Sequence, residues 1–386
     1  MGGEYRILYM NASPRPGSLV EEFSEIVDSR DGPALRHKLM DILVIACCTF
    51  LCGGRTFTDM EMFGTVAEEW LRTFLELPNG IPSHDTFNRV FQSLAPAQFQ
   101  ECFTRWMQGI RLAVPEEVVA LDGKALRRAA RDGGIPCMVS AWASHNGLIL
   151  GQLRVRDKSN EITAVPELLR RLELAGCIVT IDAMGCQRAI AREIVDADAD
   201  YVLALKGNQG TAHAEVKAFL DDAILNTPDI LDFHENIDKG HGRVETRRCW
   251  QTDRLAWFAD RGAWEKLTSV GVIESVREIK GVATTDRRYY LSSLGTDASR
   301  LSRASRSHWG IENKVHWVLD VQFREDDCRA RSGFAAENLA TLRHLVLNTL
   351  RADTSRKASL RAKHLVATWD RSYLLHLLGL PPAPTA

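Results

Sequence analysis

The sequence lacks any apolar run long enough to cross a bilayer. The longest, residues 42–52, ends at Gly53-Gly54 and falls well short of the roughly 20 residues that a span needs. The first twenty residues have no basic start followed by an apolar stretch, so no secretory leader is expected. The expectation is a cytoplasmic protein with no membrane partner. No C-x-x-C pair occurs among the nine cysteines, whose number is odd and whose spacing is irregular. That argues against a disulfide framework, a zinc ribbon or a thioredoxin-like site; these cysteines read as small residues of a core. Internal repeats are absent too. What remains is ordinary: 386 residues, 45% hydrophobic and 25% charged, enough for two or three soluble domains.

Net charge is only −2, but the average conceals a gradient. Residues 1–120 carry 10 basic against 16 acidic side chains, and residues 300–386 carry 14 against 8. A basic C-terminal part is compatible with a polyanionic partner, or with nothing more than a solvated helix face.

Residues 1–18 hold a strand-like stretch, Tyr5 to Met10, followed by Asn11-Ala12-Ser13-Pro14-Arg15-Pro16-Gly17-Ser18. This resembles a flavin-phosphate loop, but no helix–strand alternation follows, so the segment reads as a loose tail. Helical patterning covers 19–113, with candidate helices at 19–28, 35–52, 56–76, 83–94 and 96–111. Ser83 is expected to cap the fourth, and Pro96 to start the fifth. Residues 81–91 have two readings: a recognition helix, or bundle packing through Phe87, Val90, Phe91 and Leu94. The acidic charge of the region favours packing. This helical domain is expected to serve DNA binding or assembly.

The texture changes at Val118. Strands are expected at 118–121, 138–144 and 148–155, the last two joined by an Asn146-Gly147 turn. A helix at 164–174, a strand at 178–181, a helix at 187–197, a strand at 201–205 and a helix at 211–225 follow. Three antiparallel strands continued by alternating helices and strands is the element order of a ribonuclease H-like α/β fold, a mixed sheet with flanking helices. Residues 226–298 break the order with β-like stretches at 245–252, 269–280 and 284–294 and read as a β-rich insertion. Helical periodicity returns over 297–321, with Trp309, Val315, His316 and Leu319 on or near one face, and again over 334–350. The catalytic core is therefore assigned to 114–225 and 299–350. Residues 351–386, basic and then Pro-ending, are expected to be an unstructured tail.

Asp122 and Asp182 each close an apolar strand. In the ribonuclease H order those two strands are neighbours, so the carboxylates converge at one edge, and two close carboxylates call for a cation. Glu312 lies in the helical segment after the insertion, four residues from both His308 and His316. This stripe has three readings: a ligand set for magnesium or manganese through Glu312, a zinc site through the histidines, or a buried polar seam against the sheet. Carboxylate oxygen favours the first.

The blocks Ala120-Leu121-Asp122-Gly123-Lys124-Ala125-Leu126-Arg127, Thr180-Ile181-Asp182-Ala183-Met184-Gly185-Cys186-Gln187 and Leu205-Lys206-Gly207-Asn208-Gln209 occur in that order. They are followed by His241-Gly242-Arg243-Val244-Glu245-Thr246-Arg247, His308-Trp309-Gly310-Ile311-Glu312-Asn313 and His316-Trp317-Val318-Leu319-Asp320-Val321. Together they resemble the DDE-type insertion-sequence transposases of the H-repeat-associated, Rhs-linked branch, over roughly residues 25–350. The resemblance implies a nuclease whose Asp-Asp-Glu triad, both catalytic and metal-holding, is Asp122, Asp182 and Glu312. It departs from the broader superfamily at the positions of a Tyr, an Arg and a Lys around the Glu, which here are Ser305, His308 and Leu319.

The expected reaction is cleavage of double-stranded DNA at the ends of an element. Joining of the freed 3′-hydroxyls to target DNA follows, with two Mg2+ or Mn2+ ions about 4 Å apart. Lys124, Arg127, Arg128, Lys206, Arg243, Arg247, Arg306 and His308 are the candidate DNA contacts, with Arg300 and Arg303 on the same helix as Arg306. A homo-oligomer is expected on DNA, since two ends are cut in one event. The alternatives are an inactive DNA-binding descendant and a metal-dependent nuclease without strand transfer.

Overall fold

The computed structural model describes residues 18–30, 32, 35–112, 114–130, 134–155, 161–240 and 242–381. Apart from Ser18, the N-terminal tail lies outside them. The chain forms two compact units, residues 1–112 with 330–386, and residues 113–329. It is a mixed α/β protein. Among the described residues no helix is long and apolar enough to cross a membrane.

The first unit is helical. Its N-terminal helices are Leu19–Ser24, Leu39–Leu51, Phe57–Val66, Glu68–Leu71, His84–Ser93 and Pro96–Ile110. Their starts follow local chemistry: Ser18 with Glu21 and Thr56 with Asp59 form capping boxes, Ser83 accepts the Thr86 N–H, and Pro96 occupies the first turn. Phe87, Val90 and Phe91 are buried, as bundle packing requires. Helix Leu39–Leu51 is buried on almost every side, which a continuous apolar run dictates.

Two expectations fail here. Helix Ala335–Ala352 belongs to this unit and not with the sheet. Its buried Asn338 donates through Nδ2 to the carbonyls of Phe91 and Leu94, both at 2.9 Å, satisfying the end of the His84–Ser93 helix. Residues beyond 351 are not a featureless tail, because helices Leu360–Trp369 and Arg371–Leu377 start at the caps Ser359 and Asp370. Tyr373, Leu374, Leu375 and Leu377 are buried, and that apolar cluster outweighs the basic composition.

The second unit is built on nine strands: β1 Val118–Ala125, β2 Cys137–Ala143, β3 Leu148–Val155, β4 Ile178–Ile181, β5 Asp200–Leu205, β6 Asp232–Gly240, β7 Arg243–Thr252, β8 Ser269–Ile279 and β9 Val282–Ser292. They form one sheet in the order β3-β2-β1-β4-β5-β9-β8-β7-β6. β1 pairs parallel with β4, and β4 with β5; the other neighbours are antiparallel. The stretch read as an insertion thus continues the sheet, because β9 pairs with β5. β6 escapes the sequence reading, as its charged, mostly exposed pattern is that of a guarded edge strand.

Helices Glu161–Arg170, Arg188–Asp196 and Gly210–Asn226 cover one face of the sheet. Helix Ala298–His308 covers the other, where Ala298, Leu301 and Ala304 pack with Val118, Ile178, Val202 and Tyr290. Seven cysteines, including Cys137, Cys177, Cys186 and Cys249 of this unit, are buried free thiols.

Candidate active site

Parallel pairing puts Leu121 of β1 beside Ile181 of β4, so Asp122 and Asp182 follow as neighbours at one edge. β1 does not stop there, as expected, but runs on to Ala125 against β2. Side chains alternate across a strand. Asp122 therefore shares the face of Val118 and Ala120, and Asp182 that of Ile178 and Thr180, the face covered by helix Ala298–His308.

Asp182 Oδ1 accepts the N–H groups of Met184 at 3.0 Å and Gly185 at 3.3 Å, capping the turn Ala183–Gly185. Asp122 Oδ1 accepts the Gly123 N–H at 2.9 Å. Burial pushes the Asp122 carboxyl above its ordinary range, against the opposing pull of His316 and His308. A carboxylate so placed is stabilised most by a nearby positive charge.

Glu312 approaches from the helical side. After His308 the chain turns through Trp309 to Ile311, enters a π-helical stretch Glu312–His316, and resumes as α-helix Trp317–Val321. A π turn inserts one extra residue per turn and is common where a helix presents functional groups. His316 Nδ1 lies 2.8 Å from Glu312 Oε2 and 3.7 Å from Asp122 Oδ2. Asp122, Glu312 and His316 each offer a ligand atom, all within 4.8 Å of one another. Two carboxylates and an imidazole are a donor set that suits a divalent cation.

His308 does otherwise. Its Nδ1 is 3.1 Å from Thr180 Oγ1 on β4, and burial lowers its pKa. The stripe of three therefore divides: Glu312 and His316 join Asp122, while His308 is tied to the sheet.

Asp182 stands outside that close trio but lines the same cavity. This space, of about 360 Å3, is bounded by Asp122, Asp182, Glu312, His308, Lys206 and Arg288 around a floor of Val202, Ala204, Tyr290 and Ile311. Arg288, Tyr290 and Trp309 were missed as site residues. Arg288 and Tyr290 enter because Ala204 registers with Tyr290, a neighbour relation that no local pattern reveals. The Arg288 guanidinium sits 4.5 Å from the Trp309 ring centroid. Trp309 is 47% exposed and not on the buried face with Val315, His316 and Leu319. Ser305 stands where the wider superfamily has Tyr, and the Tyr290 hydroxyl lies 2.8 Å from its Oγ. A tyrosine hydroxyl thus reaches this point of the cavity from β9.

The basic candidates separate by environment. Lys124 is only 9% exposed and lies 2.8 Å from Asp320, 3.2 Å from Asp326 and 4.0 Å from Glu325. It is an internal counter-ion with no face left for a phosphate. Arg247 is similarly committed, its side chain 11% exposed between Asp238 and Glu245. Arg127, Arg128 and Arg306 are exposed, with partners Asp326, Asp327 and Asp238 at 3.5, 3.7 and 3.1 Å. Arg243 and Arg303 are exposed, and Arg300 pairs with Glu116 at 2.9 Å.

A family model described as Transposase DDE domain matches residues 115–349, and one described as DDE_Tnp_1-associated matches residues 20–107. This chain belongs to the DDE transposase family. "H repeat-associated putative transposase YhhI" of Escherichia coli (strain K12) is 39% identical over 371 residues, spanning 94% of this chain and 97% of that protein. "Putative transposase YncI" of Escherichia coli O157:H7 is 38% identical over 371 residues, 94% of each. A piggyBac transposase synaptic complex with hairpin DNA, solved by cryo-EM, aligns with 94% of this chain and 77% of its own at 10% identity and a TM-score of 0.45. Within the transposase family the two matched regions meet near residue 110, close to the first boundary between the compact units, while the second match runs past the other boundary, at 329/330, to residue 349.

Proposed function

We propose that this chain is a transposase that cuts DNA at the ends of an insertion element and joins the freed 3′-hydroxyls to target DNA. Its sheet unit is read as a ribonuclease H-like nuclease core. The observation that carries the reading is the parallel β1–β4 register, which brings Asp122 and Asp182 to one cavity with Glu312 opposite.

Asp122, Asp182 and Glu312 would hold two magnesium or manganese ions. When bound, such ions polarise the phosphate and ease deprotonation of the attacking oxygen. The protein's own groups do the rest. Lys206 and Arg288 supply positive charge to the cavity for the non-bridging oxygens of the scissile phosphate. His308, fixed by Thr180, offers its other ring nitrogen to the substrate.

In cleavage, a water oxygen bonds to phosphorus, the bond from phosphorus to the 3′-oxygen breaks, and that oxygen leaves as a 3′-hydroxyl. In joining, this hydroxyl attacks a target phosphodiester and a target 3′-oxygen leaves. Neither step needs ATP or a covalent enzyme intermediate. Arg127, Arg128, Arg243 and Arg306 are the proposed duplex contacts, made to backbone phosphate, and two copies on paired ends are the proposed working assembly.

The test is cleavage of DNA carrying the gene's own flanking sequences, with magnesium or manganese, by wild type and by Asp182→Asn. Cuts at the flanks that vanish in the variant support the reading, and joined products with a 3′-hydroxyl donor support transfer. Binding without cutting by wild type would indicate an inactive descendant.

A further inference from the structure

We propose that His316 is a direct ligand of the ion held between Asp122 and Glu312, and that its nitrogen makes this position prefer manganese to magnesium. The proposal rests on reading those carboxylates as a divalent-metal site. It adds a residue and a selectivity that an all-carboxylate triad would not have.

The argument starts from the imidazole. His316 is 5% exposed, and its Nδ1 faces both Glu312 Oε2 at 2.8 Å and Asp122 Oδ2 at 3.7 Å. Its Nε2 is buried and, among the described residues, has no hydrogen-bond partner. An imidazole holds a metal through its unprotonated nitrogen and usually donates the other ring N–H to a nearby acceptor. With the proton on Nδ1, the Nε2 lone pair is buried without a donor. With the proton on Nε2, the Nδ1 lone pair points at two anionic oxygens. A cation between Nδ1 and the two carboxylates turns that repulsion into attraction.

His308 gives the contrast, because Thr180 Oγ1 at 3.1 Å occupies its Nδ1 and it stays out of the trio. The π-helical turn also matters, since it carries both Glu312 and His316 to Asp122 from one short stretch.

The chemistry of the set then fixes the preference. Magnesium favours oxygen donors and near-ideal octahedral geometry. Manganese shares magnesium's affinity for carboxylate oxygen but, unlike magnesium, belongs to the first-row series that binds mixed N/O sites, as its weakest member.

The experiment uses the purified full-length chain without DNA and manganese alone as the probe. Pulsed electron paramagnetic resonance is expected to show 14N modulation from one directly bound imidazole. That signal should change when histidine nitrogen is replaced by 15N in the wild-type chain, a control that needs no substitution. His316→Gln should lose it, and His308→Gln should keep it. In titrations, the ratio of manganese to magnesium affinity should fall by about tenfold in His316→Gln.

Manganese bound without nitrogen modulation would overturn the proposal, and so would modulation that survives in His316→Gln. An affinity ratio equal in both proteins would remove the selectivity claim. His316→Asn is the second variant should the first fail to fold. A chain that binds manganese through His316 yet cuts no DNA would sink the transposase reading and leave this one standing.

Discussion

The Lys124 ammonium lies 2.8 Å from the Asp320 carboxylate, joining β1 to the C-terminal turn that follows Glu312 and His316. Asp326 and the buried Glu325 complete the cage around it. Removing the cation would take away the positive charge that Asp320, Asp326 and Glu325 share, so Lys124→Met should destabilise the fold by about 3–5 kcal/mol, measured by urea unfolding. A variant as stable as wild type would show that the cage contributes nothing. The DNA-binding role expected of this lysine has no geometric basis.

Phosphate contacts release counterions, so each true contact steepens the salt dependence of binding. Arg127→Ala, Arg128→Ala, Arg243→Ala and Arg306→Ala should each lower the slope of log K against log salt by about 1. Arg247→Ala should leave the slope unchanged, since its guanidinium already serves Asp238 and Glu245. Fluorescence anisotropy on flanking DNA at several salt concentrations separates the two groups. Equal effects at all five positions would refute the distinction.

In the helical unit, burial pushes the Asp353 carboxyl up, but bonds from Ser355 and Tyr373 and the charge of Lys363 outweigh it and hold the pKa at about 2. The folded value lies below the ordinary 3.8. Its stabilisation is therefore full above the unfolded value and is lost as pH falls through it towards the folded one. Tyr373 Oη donates to Asp353 Oδ2 at 2.7 Å, so Tyr373→Phe should cost about 1.5–3 kcal/mol at pH 7. The difference from wild type should shrink between about pH 4 and pH 2. A difference that stays constant over that range would exclude the linkage.

Gly310 sits between His308 and Glu312, where an added Cβ would lie 2.4 Å from the Trp142 ring. Gly310→Ala must shift the ring or the helix, at about 1–3 kcal/mol. It should also weaken manganese binding, although it removes no ligand. Thermal unfolding and metal titration of the one variant check both expectations.

Much of this was legible locally. Apolar runs before Asp122 and before Asp182 marked β1 and β4, because a strand buried on both faces must be apolar throughout. Ser83 and Pro96 marked helix starts, because their chemistry suits unpaired N–H groups or the lack of one. The spacing of His308, Glu312 and His316 marked a stripe. It could not say that Thr180 takes His308 while Asp122 takes the other two, since a stripe does not specify what it faces.

The sequence by itself determined most of the elements and the residue types able to do chemistry, because caps, turns and periodicity act within a few residues. Only the tertiary structure decided their partners. It paired β9 with β5 and so brought Arg288 and Tyr290 to the cavity. It moved Ala335–Ala352 to the helical unit. It buried Lys124 and partly buried Arg247 among carboxylates while leaving Arg243 exposed. Charge written in a sequence has no direction; burial and the nearest opposite charge give it one.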